Sequence, residues 1–365
     1  MNSAHELNTL IHALRTLHRD TAPKAKAAMA TLTRTRGSTF RRPGTRMLVL
    51  ESGRVVCELS GGCPQRDIVT RALDVIAGAT PRLAHYNADS GLDVLIEMGC
   101  GGELEVFIEP LLTSHDTDFI DALSKCLDER RHVHMATLFA INDTAVMPRR
   151  QIWSDHRLLH DSIDDPELSQ AIIDNTSALA KQRADTFRIP SARGIADVLI
   201  ETVEPPHALV VIGSSAAARA LLPLANALGW QTTLVDRDPA RLRTADLPAG
   251  LNTVCAAPEN LTNALPLDGH SSVVVMTHNL EHDMAYLGAL QGTPVAYIGA
   301  LGSRERIARM RGNGALNGLH VHAPAGLDIG SETPEEIALA IAAEIMAVIN
   351  RRSGGSLRDN NGNIH

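Results

Sequence analysis

Apolar residues at the start of the chain recur at helical spacing: Leu7, Leu10, Ile11, Leu14 and Leu17 fall on one face and predict an amphipathic helix. Short apolar runs between glycine turns follow at 28–33, 47–50 and 54–59, and these predict strands. A helical pattern over 67–77, strand patterns over 92–97 and 103–108, a helix over 119–129 and a strand over 133–141 complete this half. Strands and helices mix there without strict alternation, so an α+β domain is expected. The stretch 144–187 is more polar, carries Pro148 and Pro166, and leads into a connecting helix over 167–183. From Ala208 the rhythm changes. Short apolar runs at 208–212, 232–235, 272–276 and 295–298 are mostly separated by helical stretches, the pattern of a parallel sheet covered on both faces. The last helix has its own start signal, with Thr333 as N-cap, Pro334 in the first turn and Glu336 placed to complete a capping box. The expected organisation is an N-terminal domain over 1–165, a connecting helix and linker over 166–205, a C-terminal parallel-sheet domain over 206–352 and a disordered Gly-, Asn- and Ser-rich tail over 353–365. No internal repeat is apparent.

Composition narrows the function. At 365 residues two domains are the default, and 44% hydrophobic with 21% charged residues is the make-up of a globular protein. Aromatics reach only 3%, too few for stacking on single-stranded bases, and a chain of net charge -8 offers no extended basic stripe, so nucleic acid is not an expected partner. No run has the apolar length of a bilayer span, and the start M-N-S-A-H-E-L lacks the basic-then-apolar pattern of a signal peptide. A cytoplasmic location without membrane contact is the expectation. The five cysteines, Cys57, Cys63, Cys100, Cys126 and Cys255, include no C-x-x-C pair, which argues against a disulfide framework or a structural zinc site. Cys57, Cys126 and Cys255 sit where a small buried thiol is ordinary. Cys63 and Cys100 differ, because glycine pairs flank them: Gly61 and Gly62 before the first, Gly101 and Gly102 after the second.

Two segments carry candidate binding chemistry. The first is R-T-R-G-S-T-F-R-R-P-G-T-R over 34–46, where Arg36, Gly37, Ser38, Arg41 and Arg42 form a cationic loop on an acidic protein. Guanidinium groups fork around phosphate, and backbone N–H groups near Gly37 and Gly44 add donors, so a small phosphorylated anion is the first ligand to consider. The second is L-V-V-I-G-S-S-A-A-A-R over 209–219, a strand, tight turn and helix start with Asp236 closing the next strand as a ribose-binding carboxylate would. This makes the C-terminal domain Rossmann-like. Gly213 fills the first glycine slot of the dinucleotide fingerprint and Ala218 the third, but Ser215 stands in the second, which weakens an NAD reading. A helix N-terminus there still favours phosphate, and the Ser214 and Ser215 hydroxyls are further donors. The loops T-H-N-L-E-H-D and G-A-L-G-S-R-E-R follow later strands, so His278 and Arg304 should border the same cleft.

The segments R-G-S-T-F-R-R-P-G-T-R-M-L-V, S-G-G-C, G-C-G-G-E-L-E-V-F-I-E-P, T-H-N-L-E-H-D, Y-I-G-A-L-G-S-R and A-P-A-G-L-D-I-G-S-E-T-P-E-E-I-A occur in this order. Together, over residues 25–351, they resemble the XdhC/CoxI family of xanthine dehydrogenase accessory proteins. The resemblance implies an α/β chain with an N-terminal α+β XdhC-type domain and a C-terminal Rossmann-like domain. It also implies a molybdenum cofactor chaperone, a maturation factor without turnover of its own. Such a protein shields the cofactor, supports its sulfuration by a cysteine desulfurase and delivers it to a molybdenum hydroxylase of the xanthine dehydrogenase type. The ligand would be molybdopterin or its nucleotide form, with Cys63 and Cys100 facing the metal and the arginine loop and the turn at Ser214 taking the phosphate. A homodimer is expected from the same likeness. Two departures stand out: Pro64 and Gln65 follow Cys63 where an acidic residue is typical, and Ser214 to Ala217 replace a glycine-rich fingerprint with histidine. The competing readings are an NAD(P)-dependent oxidoreductase with Asp236 on the ribose and His278 as acid or base, against which Ser215 counts, and a molybdoenzyme assembly scaffold that holds no cofactor.

Overall fold

The computed structural model describes residues 2, 4–17, 25–37, 39–59, 62–87, 102–155, 157–179, 183–243, 251–313 and 318–359. They form two compact units, Met1–Pro205 and Pro206–His365.

In the first unit helix α1 (Ala4–Leu17) precedes strands β1 (Ala27–Arg36), β2 (Arg46–Leu50) and β3 (Val55–Val56), helix α2 (Gly62–Gly78), and strands β4 (Arg82–Tyr86) and β5 (Glu103–Leu111). The succession then repeats as α3 (Phe119–Asp128), β6 (Val133–Ile141), β7 (Thr144–Ser154), β8 (Arg157–Asp161), α4 (Pro166–Asn175), β9 (Ala184–Ser191) and β10 (Gly194–Val203). The two antiparallel sheets run β3-β2-β1-β5-β4 and β8-β7-β6-β10-β9, one topology used twice.

The duplication extends to single residues. Met29-Ala30-Thr31-Leu32 in β1 and Met135-Ala136-Thr137-Leu138 in β6 are identical. Thr31 faces Arg46 across its ladder as Thr137 faces Arg150, and Met29 faces Glu109 as Met135 faces Glu201. Each half's arginine then pairs with the other half's glutamate, Arg46 with Glu201 and Arg150 with Glu109, and all four are buried. Burial pushes the Glu109 carboxyl up, while Arg150 pulls it down. Around these pairs Leu10 and Leu14 of α1, Phe119 and Leu123 of α3, Met29 and Met135 form one apolar cluster. The repeat escapes a reading of the sequence because only four consecutive residues match, and an alternating strand pattern carries little identity of its own.

Residues 166–205 are not a linker. Helix α4 covers the second sheet, and β9 and β10 are two of its strands, with β10 in the interior. Pro148 speaks against a strand in this region by local rules. It is tolerated in β7 because β8 pairs only with residues 151–154, and because the β6–β7 register shifts between Leu138 and Ala140. Strand β3 is shorter than the pattern over 54–59 predicts and β4 was unforeseen, while the strand expected over 92–97 lies outside the described residues.

The second unit is a parallel sheet with the order β13-β12-β11-β14-β15. Its elements are β11 (Ala208–Ile212), α5 (Ala216–Ala227), β12 (Gln231–Asp236), β13 (Asn252–Cys255), α6 (Leu261–Ala264), β14 (Ser271–Val275), α7 (Leu280–Ala289), β15 (Tyr297–Ala300), α8 (Arg304–Gly312) and α9 (Pro334–Ile349). Apolar clusters cover both faces, as the runs of Val, Ile and Leu predict. The unforeseen β13 is a mostly exposed edge strand without an apolar run. Thr333 caps α9, and its N–H donates to Glu336 Oε2 at 2.9 Å, which completes the expected capping box. In the tail, Leu357–Asp359 forms a short exposed 3-10 turn, and 360–365 lie outside the described residues. The strand order reverses beside β11, which puts the ligand crevice of such a sheet at the C-terminal ends of β11, β12 and β14.

Candidate functional site

In the first unit, β1 carries the arginine loop out of the sheet. Pairing with β2 reaches Thr31 opposite Arg46, whereas pairing with β5 continues to Arg36 opposite Glu103. The equivalent strands β6 and β7 stay paired to Ile141 and Thr144, joined by Asn142 and Asp143 at φ 48° and 61°. Two residues with positive φ make a tight hairpin, so the scaffold needs only a short turn where the first half has the longer arginine loop. Gly37, at φ 72°, stands so near Gly102 that an added Cβ would lie 3.6 Å from the Gly102 Cα. The start of the loop therefore meets the end of the G-C-G-G segment.

The loop arginines divide by partner. Arg34 pairs with Glu105 at 2.8 Å and with Asp197, Arg41 with Glu6 at 2.6 Å, and Arg46 with the buried Glu201. Arg41, expected on a phosphate, is thus already matched by a carboxylate. Arg36 is exposed and has no ion pair among the described residues. It lines a cavity of about 340 Å³ with Arg34, His85, Asn87, Glu103 and Glu105. Arg42 is exposed, and its carbonyl accepts from Thr45 Oγ1 at 2.8 Å in the returning turn.

Gly62 and Cys63 open α2, and Gln65 Oε1 accepts the Leu59 N–H at 3.3 Å, a bond that ties the preceding loop to the helix. Ser38, Gly61, Cys100 and Gly101 lie outside the described residues, as does the Cys63 side chain. Of the other thiols, Cys126 is buried as expected. Cys57 is half-buried at φ 63°, and burial, with Glu6 adding to it and Arg41 opposing, pushes its thiol up to about 11. Cys255 is exposed at the end of β13, contrary to the buried expectation.

In the second unit, Gly213 has φ 101°, and a Cβ there would lie 2.7 Å from the Met276 carbonyl oxygen. Only glycine fits this turn. Ser215, in the slot where a glycine normally admits the ligand, is turned inward: it is 7% exposed, caps α5 by accepting the Ala218 N–H at 3.1 Å and touches Met276 Sδ. Ser214 Oγ donates to Asp236 Oδ2 at 3.2 Å. Both hydroxyls are thus engaged inside the protein, and neither is the ready phosphate donor that the sequence suggested.

A cavity of about 460 Å³ opens beyond these strand ends, lined by Asp236, Arg237, Arg241, Thr277, His278 and His282, with Ile212 and Tyr286 as its apolar wall. Such a volume suits a small-molecule ligand. His278 takes φ 62° and is exposed at the rim. Its backbone is held from below: the fully buried Asp283 accepts the Thr277 N–H at 3.0 Å and pairs with Arg306, which donates to the His278 carbonyl at 3.3 Å. Arg306 is therefore the α8 arginine that serves the cavity, through the loop; Arg304, the expected one, is exposed and does not line it. The sequence held a signal for the missed pair, since Asp283 ends the T-H-N-L-E-H-D string and Arg306 ends G-S-R-E-R.

Comparison with known proteins agrees with this division. Residues 21–87 match the XdhC and CoxI family, and residues 209–345 match the XdhC Rossmann domain. A Bacillus subtilis protein described as a probable xanthine dehydrogenase subunit is 28% identical over 329 residues, which is 89% of this chain and 94% of that protein. The molybdenum cofactor insertion chaperone PaoD of Escherichia coli is 21% identical over 88% of this chain and 83% of its own length. A solved structure described as a xanthine dehydrogenase from Bacillus halodurans shares the fold, with a TM-score of 0.76 and 22% identity over 99% of this chain and 98% of the other. Among the described residues no helix is long and apolar enough to cross a membrane.

Proposed function

The chain belongs to the XdhC and CoxI family, and on that premise we propose that it is a molybdenum cofactor chaperone that protects the cofactor, supports its sulfuration by a cysteine desulfurase and delivers it to a molybdenum hydroxylase. The observation that carries this reading is the collinear likeness, across both units, to a relative named for molybdenum cofactor insertion. Geometry supports it locally. The close approach of Gly37 to Gly102 sets the start of the arginine loop, with the exposed Arg36 as a cation for phosphate, against the first described residue after the glycine-flanked Cys100. Arg36, Ser38, Arg42, Cys63 and Cys100 are the proposed contacts, with Gly37, Gly61, Gly62, Gly101 and Gly102 letting backbone approach the ligand. Arg41 is pinned by Glu6 and acts by shaping the loop. In the second unit Asp236 and His278 line the remaining candidate cavity, and Ser214, which follows the Gly213 turn, donates its hydroxyl to Asp236. Homodimer formation and a cytoplasmic location belong to the same proposal.

The test compares protein purified from cells that make molybdopterin with protein from cells that cannot. Bound molybdenum and pterin fluorescence after oxidation are expected in the first sample alone. Bound NAD(H) without pterin would move the assignment to an oxidoreductase, and neither ligand, with target enzyme still captured, to an assembly scaffold. Cys63→Ala and Cys100→Ala should lose molybdenum while remaining folded, and Arg36→Ala should weaken pterin retention by about tenfold, the loss of one charge-assisted contact.

A further inference from the structure

We infer that the outward face of α9 is a self-association surface, on which a second copy of this chain lays its own α9 antiparallel about a two-fold axis. The inference deepens the homodimer of the proposed function by naming its surface and symmetry; it rests on that reading for the number of copies and for none of the cofactor chemistry.

The argument begins with where α9 puts its polar residues. From Ile337 to Ile349 the helix carries one charged side chain, Glu344, and that one is turned inward. Its carboxylate accepts the Tyr297 hydroxyl at 2.6 Å and the Gly326 N–H at 2.8 Å, and its side chain is only 15% exposed. Ala338, Ile341, Ala342 and Ile345 are buried against α5 and the sheet. The face left outside is Leu339, Ala343 and Met346, with Leu339 51% and Met346 41% exposed. A helix that is apolar all round belongs in an interior, so this face calls for a cover.

The exposed apolar residues of the second unit gather at the same place. Among the described residues of that unit, the large hydrophobic side chains open to solvent are Ile329, Leu339, Met346 and Leu357. Leu327 donates its N–H to the Ala340 carbonyl at 3.2 Å. A Cβ on Gly354 would lie 2.9 Å from the Leu327 side chain and 3.6 Å from the Ala347 Cβ. The loop that carries Ile329 and the tail that carries Leu357 therefore run along α9, and the four side chains belong to one patch. A stable dimer takes roughly 800 Å² from each copy, more than a single helix about 24 Å long supplies, so these flanking segments belong to the contact.

Charge selects the occupant and its direction. Glu332 and Glu335 are exposed at the start of α9, and Arg351 and Arg352 are exposed just past its end. A second α9 laid parallel would set glutamate on glutamate and arginine on arginine. Laid antiparallel, it sets Glu335 against the partner's Arg351 at both ends, and the helix dipoles oppose favourably. The same alignment brings Leu339 against the partner's Met346, since both pairs are centred at or beside Ala343. The small Ala343 side chain there lets the two helices approach closely.

The test is sedimentation equilibrium of the full chain, purified from cells unable to make molybdopterin. The wild type should be a dimer. Leu339→Glu and Met346→Glu, both at exposed positions, should raise the dissociation constant at least about a hundredfold while the far-UV circular dichroism is retained. Glu335→Arg or Arg351→Glu alone should weaken the dimer about tenfold, and the two together should restore it. A monomeric wild type, a dimer indifferent to both apolar-to-glutamate changes, or a double charge reversal no tighter than either single one overturns the inference. Protein from cofactor-making cells keeps the two readings apart. Pterin retained by a wild type that fails these tests removes the surface and leaves the chaperone; a dimer that passes them without ever retaining pterin removes the chaperone and leaves the surface.

Discussion

At the scale of single residues, the first unit rests on charges that its sequence gives no reason to pair. Arg46 and Glu201 are far apart in the chain, and each looks like an ordinary surface residue until the two sheets bring both to 7% exposure or less. Taking one partner away leaves the other charged and buried, which costs about 3–5 kcal/mol, whereas an apolar replacement of both is often neutral. Glu201→Ala should therefore lower the stability of the first unit by roughly that amount. The double variant Arg46→Met with Glu201→Leu should recover most of it, with urea unfolding as the measurement. Equal losses in the single and double variants would mean that packing, not the stranded charge, sets the cost. Arg150 and Glu109 occupy the matching place in the duplication and should respond alike.

At the scale of elements, what could be read in the sequence was what local rules decide. The amphipathic face of α1, the runs that became β11, β12 and β14, and the start of α9 each follow from neighbours in the chain. For α9 this leads to a pH prediction. The Glu336 carboxyl is held below its ordinary value by the backbone N–H groups of Thr333 and Glu332. A lowered carboxylate contributes stability at neutral pH that is lost as pH falls through the lowered value. Thr333→Ala removes the side-chain cap, at about 1 kcal/mol near neutrality, but leaves both backbone N–H donors to Glu336, so the carboxyl should stay lowered. Proton titration followed by NMR would check the shift. The elements that local reading missed are those whose placement depends on distant chain: edge strands such as β4 and β13, with few apolar positions, and β7, whose proline is excused by where β8 stops. The candidate sites divide the same way. Gly213 and Asp236 were legible as a turn and a strand end, but that Ser215 faces inward and Arg41 is matched by Glu6 depends on residues no motif contains.

At the scale of the whole molecule, each unit has the means to fold alone. The first has apolar clusters beneath α1 and α3, beneath α2 and beneath α4, while the second has one on each face of its parallel sheet. Both units exceed the size at which a chain buries enough surface to sustain a core without disulfides or metals. Expressed separately, residues 1–205 and 206–365 should each unfold cooperatively, as followed by calorimetry.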